Sequence, residues 1–188
     1  MTSLRQTGVI VITGVMAAGK STIAQLLAER FDRGVHLRGD MFRKMIVKGR
    51  EEMLPEASAE AERQLALRYK ITANTARMYV DAGFHVVLQD VILGPALQEI
   101  VESLGEHPVY VVVLKPSQDV ICTREQHRDK TGYGIWSIDE LNRRLTEETP
   151  RIGLWLDTSH LSAEETVDVI WKRIWDEGKI APLGRPIQ

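Results

Sequence analysis

Gly14-Val15-Met16-Ala17-Ala18-Gly19-Lys20-Ser21 decides the reading of this chain. It spells G-x-x-x-x-G-K-S, the P-loop or Walker A pattern, and its surroundings are those the pattern requires. The β-branched run Val9-Ile10-Val11-Ile12, ending in Thr13, reads as a buried strand before it. Ile23, Ala24, Leu26, Leu27 and Phe31 recur at helical spacing after it. At a strand–loop–helix junction the glycines let the backbone wrap an anion, so that successive N–H groups point inward. A helix opening near Gly19 adds the positive end of its dipole. The loop positions Gly14, Ala17, Ala18, Gly19, Lys20, Ser21 and Thr22 are therefore read as the triphosphate cradle. Within it Lys20 addresses the β- and γ-phosphates and Ser21 ligates Mg²⁺. ATP and Mg²⁺ are the expected cofactors.

Working outward, strand-like and helix-like runs alternate. Strands are expected at 34–38, at 84–89 after Gly83, at 109–114 between two prolines, and at 152–156. Residues 56–81 carry Ala61, Leu65, Tyr69, Ala73, Ala76 and Val80 on one face of a long amphipathic helix. Met41 to Met45 reads as a short helix. Ser117 reads as the N-cap of a helix reaching about His127, with Cys122 expected as a small core residue. Ser162-x-x-Glu165 reads as a capping box before Val167, Ile170, Trp171 and Ile174. Such alternation implies a parallel sheet covered on both faces, with the ligand at the carboxyl ends of the strands. At 188 residues the chain is expected to form one domain, 1–188, with a loosely held tail from Gly178.

A formal charge of −2 supplies no basic field for extended nucleic acid, and one cysteine permits no intrachain disulfide. The short polar N-terminus and the lack of a long apolar run point to a cytoplasmic protein with no membrane partner. Oligomeric state is not set by these features.

The strand ends carry polar residues. Asp40 follows the second strand as Leu37-Arg38-Gly39-Asp40, and Asp90 follows the third as Val86-Val87-Leu88-Gln89-Asp90. Asp90 has the Walker B form and is assigned to Mg²⁺, directly or through water; Asp40 is assigned as the base for an acceptor hydroxyl. Position leaves these two roles exchangeable, and either aspartate also suits a helix N-cap. Arg43, one helical turn beyond Asp40, joins Asp40 and Asp90 on the substrate side. Lys44 and Lys48 read instead as a solvated face balanced by Glu51, Glu52 and Glu56. Arg124 and Arg128 share a helical face leading into Thr131-Gly132-Tyr133-Gly134, which suggests a lid over about 128–147 with Arg128 meeting the transferring phosphoryl group.

Together these residues resemble the P-loop small-molecule kinases: gluconate kinase, shikimate kinase and, above all, chloramphenicol phosphotransferase-like proteins, that is, an AAA-type P-loop phosphotransferase. The resemblance runs from Gly14 to Asp157-Thr158-Ser159. It implies a three-layer α/β P-loop fold with a five-stranded parallel sheet, helices on both faces and a small lid. It also implies a base at Asp40, lid arginines at Arg124 and Arg128, and adenine contacts at Thr158 and Ser159. Gly39-Asp40-Met41-Phe42-Arg43 resembles the Gly-Asp-Met-x-Arg of adenylate kinases, where the arginine meets the acceptor's phosphate.

The expected function is thus Mg²⁺-dependent transfer of the ATP γ-phosphate to a hydroxyl of a small-molecule acceptor such as an antibiotic, a sugar acid or a nucleoside. Residues 41–62 would cap the acceptor. The alternatives are a nucleotide or polynucleotide-end kinase and an ATP-binding switch or ATPase without an acceptor. A GTPase is disfavoured because neither Leu114-Lys115-Pro116-Ser117-Gln118-Asp119 nor Asp90-Val91-Ile92-Leu93 supplies the guanine-reading or Asp-x-x-Gly pattern.

Overall fold

The computed structural model describes residues 6–127 and 136–181. Strands β1 (Val9–Thr13), β2 (Gly34–Arg38), β3 (His85–Gln89), β4 (Val109–Leu114) and β5 (Leu154–Leu156) form a parallel sheet in the order β2-β3-β1-β4-β5. The central strands β1 and β4 are buried at every residue, which is why they read as unbroken apolar runs rather than alternating ones. Helix α1 (Lys20–Ala28) packs against β3 and against α7 (Ala163–Glu177). Helix α3 (Ala59–Asp81) packs against β2 and β3, together with α4 (Ala96–Ser103) and the short α2 (Asp40–Lys44). Helices α5 (Gln118–Gln126) and α6 (Ile138–Arg143), with a π-helical turn at Arg144–Glu148, connect β4 to β5.

Several boundaries differ from the sequence reading for local reasons. Helix α3 begins at Ala59 rather than at 56, because Ser58 is its N-cap and accepts from the Ala61 N–H at 3.0 Å. β3 begins at His85, and β5 keeps only Leu154–Leu156 of the expected 152–156. Gly153 precedes β5 with φ 73°, and a Cβ there would stand 2.5 Å from the Val111 carbonyl oxygen. The start of the tail is not loose: Lys179–Ile180 forms β6, which pairs antiparallel with β4 and adds a sixth strand off the main path. Cys122 is exposed on α5 and is not a core residue. Among the described residues no helix is long and apolar enough to cross a membrane.

Strand β1 lies between β3 and β4, so the chain departs to opposite sides of β1 and a crevice opens at its carboxyl end. A reciprocal pair of hydrogen bonds locks that end. The buried Thr13 hydroxyl donates to the Ile92 carbonyl at 2.7 Å and accepts from the Ile92 N–H at 2.9 Å. The P-loop and the segment after β3 therefore leave the sheet side by side.

Candidate active site

The P-loop is shaped by three left-handed residues. Gly14 has φ 147° and Gly19 φ 90°, while Ala17 adopts φ 60°, a conformation that costs a residue with a Cβ roughly 1 kcal/mol or more. At Gly14 a Cβ would fall 2.5 Å from the Leu114 carbonyl oxygen, so the turn excludes a side chain twice over. Helices α3, α5, α6 and α7 each have a serine N-cap whose side chain accepts a backbone hydrogen bond. By contrast, α1 opens at Gly19 with no side-chain cap and no acidic residue in its first turn. Its leading N–H groups and dipole are thereby left for an anion. Lys20 is 8% exposed and its ammonium donates to the Val15 carbonyl at 2.7 Å, inside the loop it serves. Ser21 and Thr22 are exposed on the first turn of α1.

Asp40 opens α2 directly after β2. Its Oδ2 pairs with Lys44 at 2.8 Å. Its Oδ1 is sealed from solvent without a hydrogen-bond partner, with the Arg38 guanidinium at 3.6 Å. Partial burial pushes the carboxyl up, but the hydrogen bond and charge of Lys44, with Arg38 and Arg68, outweigh it and hold Asp40 below its ordinary value of 3.8. Asp40 is therefore ionised at neutral pH.

Asp90 is only 4% exposed. Its Oδ1 accepts from the Val91 N–H at 2.8 Å, and its Oδ2 lies 3.1 Å from Arg68 Nε without the directionality of a hydrogen bond. Burial drives its pKa up, against Arg68, the Val91 N–H and Lys20, while the charge of Asp40 adds to the rise. Asp90, Asp40, Lys20 and Arg68 thus form one electrostatic cluster at the mouth of the P-loop. Gly39 permits it, since a Cβ there would meet Asp90 Oδ2 at 2.3 Å.

Arg68 is the member that sequence reasoning missed. It interrupts the stripe Ala61, Leu65, Thr72, Ala76 at helical spacing, and a cation on a buried stripe demands a buried acid. Next to it, Tyr69 donates its hydroxyl to the Val91 carbonyl at 2.9 Å, and burial raises its pKa. Arg68→Met should therefore lower stability by about 3–5 kcal/mol at neutral pH, because Asp90 is left buried without its counter-charge. Loss of Arg68 raises the folded-state pKa of Asp90 further above its unfolded value. The deficit should then be largest above that folded pKa and shrink as acid protonates Asp90. Urea unfolding of both proteins across the neutral and acid range measures it; a deficit that stays the same at every pH would contradict the coupling.

On the other side of the P-loop, a cleft of about 270 Å³ is lined by Gly19, Thr22, Ile23, Arg124, Thr158 and residues that open α7. Arg124 donates to the Thr158 carbonyl at 3.5 Å and reaches over Gly19. Thr158 is buried with an unpartnered hydroxyl. The Ser159 hydroxyl is turned to the backbone, accepting from the Ser117 N–H at 2.8 Å and donating to Asp157. Arg43 forms an ion pair with Glu52. Arg128 and the glycine-rich stretch 131–134 of the expected lid lie outside the described residues.

No cluster of three or more His, Cys, Asp or Glu able to hold a metal occurs among the described residues. Mg²⁺ keeps several waters and is bound largely through substrate phosphates, so one or two protein groups suffice to hold it. Ser21 and the unsatisfied Oδ2 of Asp90 are the groups here that fit it.

A parallel sheet in this strand order, with an uncapped helix behind a G-x-x-x-x-G-K-S loop and carboxylates at the neighbouring strand ends, is the P-loop kinase fold. The chain belongs to the AAA domain family, whose model matches residues 9–149. Its structure is similar to that of a sugar kinase from Janibacter sp. HTCC2649, at 19% identity over 91% of this chain and 95% of that one, with a TM-score of 0.66. It is similar to the tunicamycin resistance protein of Deinococcus radiodurans, at 16% identity over 94% and 99% of the two chains, TM-score 0.64. It is also similar to the Mycobacterium tuberculosis APS kinase in complex with AMPPNP and APS, at 18% identity over 89% and 96%, TM-score 0.62. No curated protein matches the sequence.

Proposed function

We propose that the protein is an ATP-dependent phosphotransferase that moves the γ-phosphoryl group of ATP to a hydroxyl of a small-molecule acceptor. One observation carries this reading: Asp40, ionised at neutral pH, opens α2 in one electrostatic cluster with Arg68, Asp90 and Lys20 of the anion cradle. A carboxylate so placed can take the proton of an attacking hydroxyl, and the likeness of the fold to kinases favours an acceptor over water as its source.

In this reading the Gly14–Thr22 backbone amides and the α1 N-terminus hold the phosphates, and Lys20 bears on the β- and γ-oxygens. The nucleoside lies toward Arg124, Thr158 and Ser159. The acceptor oxygen attacks the γ-phosphorus while the bond to the β–γ bridging oxygen breaks, leaving its electron pair on ADP. The acceptor proton passes to the Asp40 carboxylate. In a loose transition state that proton leaves late, so a low pKa is no handicap and alignment matters more than basicity. Ser21 and Asp90 would hold Mg²⁺, which supplies charge neutralisation across the phosphates when bound. Arg68 positions Asp90 and contributes to the field on Asp40. Arg128 is proposed for the lid side.

The structural neighbours support kinase chemistry in general but act on different compounds by name, a sugar in one and APS in another, so none supplies the acceptor. The test is release of ADP from MgATP across a panel of hydroxyl-bearing metabolites and antibiotics. Stimulation by at least one compound, with a phosphorylated product and abolition by a chelator, is expected. Rapid hydrolysis indifferent to every acceptor would instead establish the ATPase reading.

A further inference from the structure

Neither oxygen of Asp40 is open to a hydroxyl. Lys44 holds Oδ2 at 2.8 Å. Oδ1 is sealed from solvent beside Arg38. For Asp40 to act as a base, one of these covers has to move. Lys44 is the one that gives way, because its side chain is 47% exposed and an exposed pair one helical turn apart is weak. The acids expected to balance Lys44 from the sequence are engaged elsewhere. Glu52 takes Arg43 and Arg50, and Glu51 accepts from the Ser58 hydroxyl.

The charges around the two aspartates are divided. Arg68 bears on both, Lys20 bears on Asp90, and Lys44 and Arg38 bear on Asp40. Lys20 belongs to the P-loop, and the buried Arg68 is held on Asp90. On the Asp40 side the ion pairs then set four cations, Arg38, Arg43, Lys44 and Arg50, against two carboxylates, Asp40 and Glu52. Positive charge is left over on partly exposed side chains next to the proposed base.

We infer that the acceptor carries an anionic group, a carboxylate or a phosphate, which draws Lys44 off Asp40 and seats on Lys44 and Arg38, leaving Asp40 open to the acceptor's hydroxyl. This rests on the phosphotransferase reading. Lys44 is then both the cover of the base and a specificity-determining residue. An anionic acceptor gains a charge-assisted pair and uncovers the carboxylate, and an uncharged one does neither. The lysine suits this exchange, being a point charge on a flexible four-carbon stem.

The test uses the full chain, MgATP and hydroxyl compounds in matched sets, for example methyl glucoside, methyl glucuronide and a phosphate monoester of methyl glucoside. Within a set an anionic member should have a kcat/KM about tenfold or more above the uncharged one, and the two anionic arms show which anion is taken. Lys44→Met should remove about tenfold of that advantage, mainly through KM, and Lys44→Arg should keep most of it. Both variants should melt like the parent because the side chain is exposed. A further readout needs no acceptor. Lys44→Met should speed basal hydrolysis of MgATP about two- to fivefold, because water then meets an uncovered Asp40. Preference for the uncharged member, an advantage untouched by Lys44→Met, or basal hydrolysis no faster in that variant overturns the inference and leaves the kinase intact. A higher KM for MgATP in Lys44→Met, with acceptor preference unmoved, also overturns it and gives Lys44 to the nucleotide. Stimulation by no member of any set removes the phosphotransferase reading itself.

Discussion

Lys20→Ala should reduce phosphoryl transfer by about a thousandfold or more, equivalent to ~4 kcal/mol of barrier. The ammonium is nearly buried and held to the Val15 carbonyl, so it acts in a medium where a unit charge counts for far more than in water. The surrounding loop is fixed independently, by the left-handed turns at Gly14, Ala17 and Gly19 and by the Thr13–Ile92 bonds. The variant should therefore fold and melt much like the parent, and the loss should sit in turnover. Steady-state kinetics beside a thermal melt separates the two. Turnover within tenfold of the parent would remove the P-loop from the mechanism.

Asp40→Asn should lower kcat by about a hundred- to ten-thousandfold while leaving nucleotide affinity nearly unchanged. The substitution keeps the shape but removes the carboxylate that would accept the proton. It also releases Lys44, Arg38 and Arg68 from a carboxylate they share, and these cations lie on the acceptor side rather than along the triphosphate. Because those cations depress the Asp40 pKa, the acid limb of the parent's rate profile that Asp40 sets should lie below the ordinary 3.8. The sign for stability follows the same shift. The depressed carboxyl stabilises the fold above its unfolded pKa, and that contribution is lost as pH falls through the lower folded value. Its size is modest because Asp40 keeps about a third of its side chain in solvent. Near-normal turnover in the variant would transfer the base role elsewhere, with Asp90 as the next carboxylate in the cluster.

Much of this was readable because it is local. The P-loop is contiguous, β1, β4 and the middle of β3 are apolar runs bounded by turn residues, and Ser117 and Ser162 cap the helices they were expected to cap. What was not readable depends on partners remote in sequence. Arg68 gains its meaning only from Asp90, which α3 and β3 bring together. β6 is two residues long and is defined only by pairing with β4. Helix α4 carries the stripe Leu97, Ile100, Val101, Leu104, but it is short and opens on Gly94-Pro95, which reads as a turn. Cys122 falls on a helix whose buried contact is made by Ile121, one residue and about 100° of helix away, so it points outward. Arg43 drew attention by its spacing from Asp40; only the folded loop brings Glu52 to it.

The account's central claim is that the amides of Gly14–Ser21 and the Lys20 ammonium grip the terminal phosphates of a nucleotide beside Asp40. The most direct measurement is a crystal structure of the protein grown with AMPPNP and magnesium. The account predicts that the β- and γ-phosphates fill the loop and that Lys20 Nζ leaves the Val15 carbonyl for them. The γ-phosphorus should lie within one acceptor molecule of the Asp40 carboxylate. Nucleotide bound elsewhere, with the Gly14–Ser21 turn empty and Lys20 still on Val15, would contradict it.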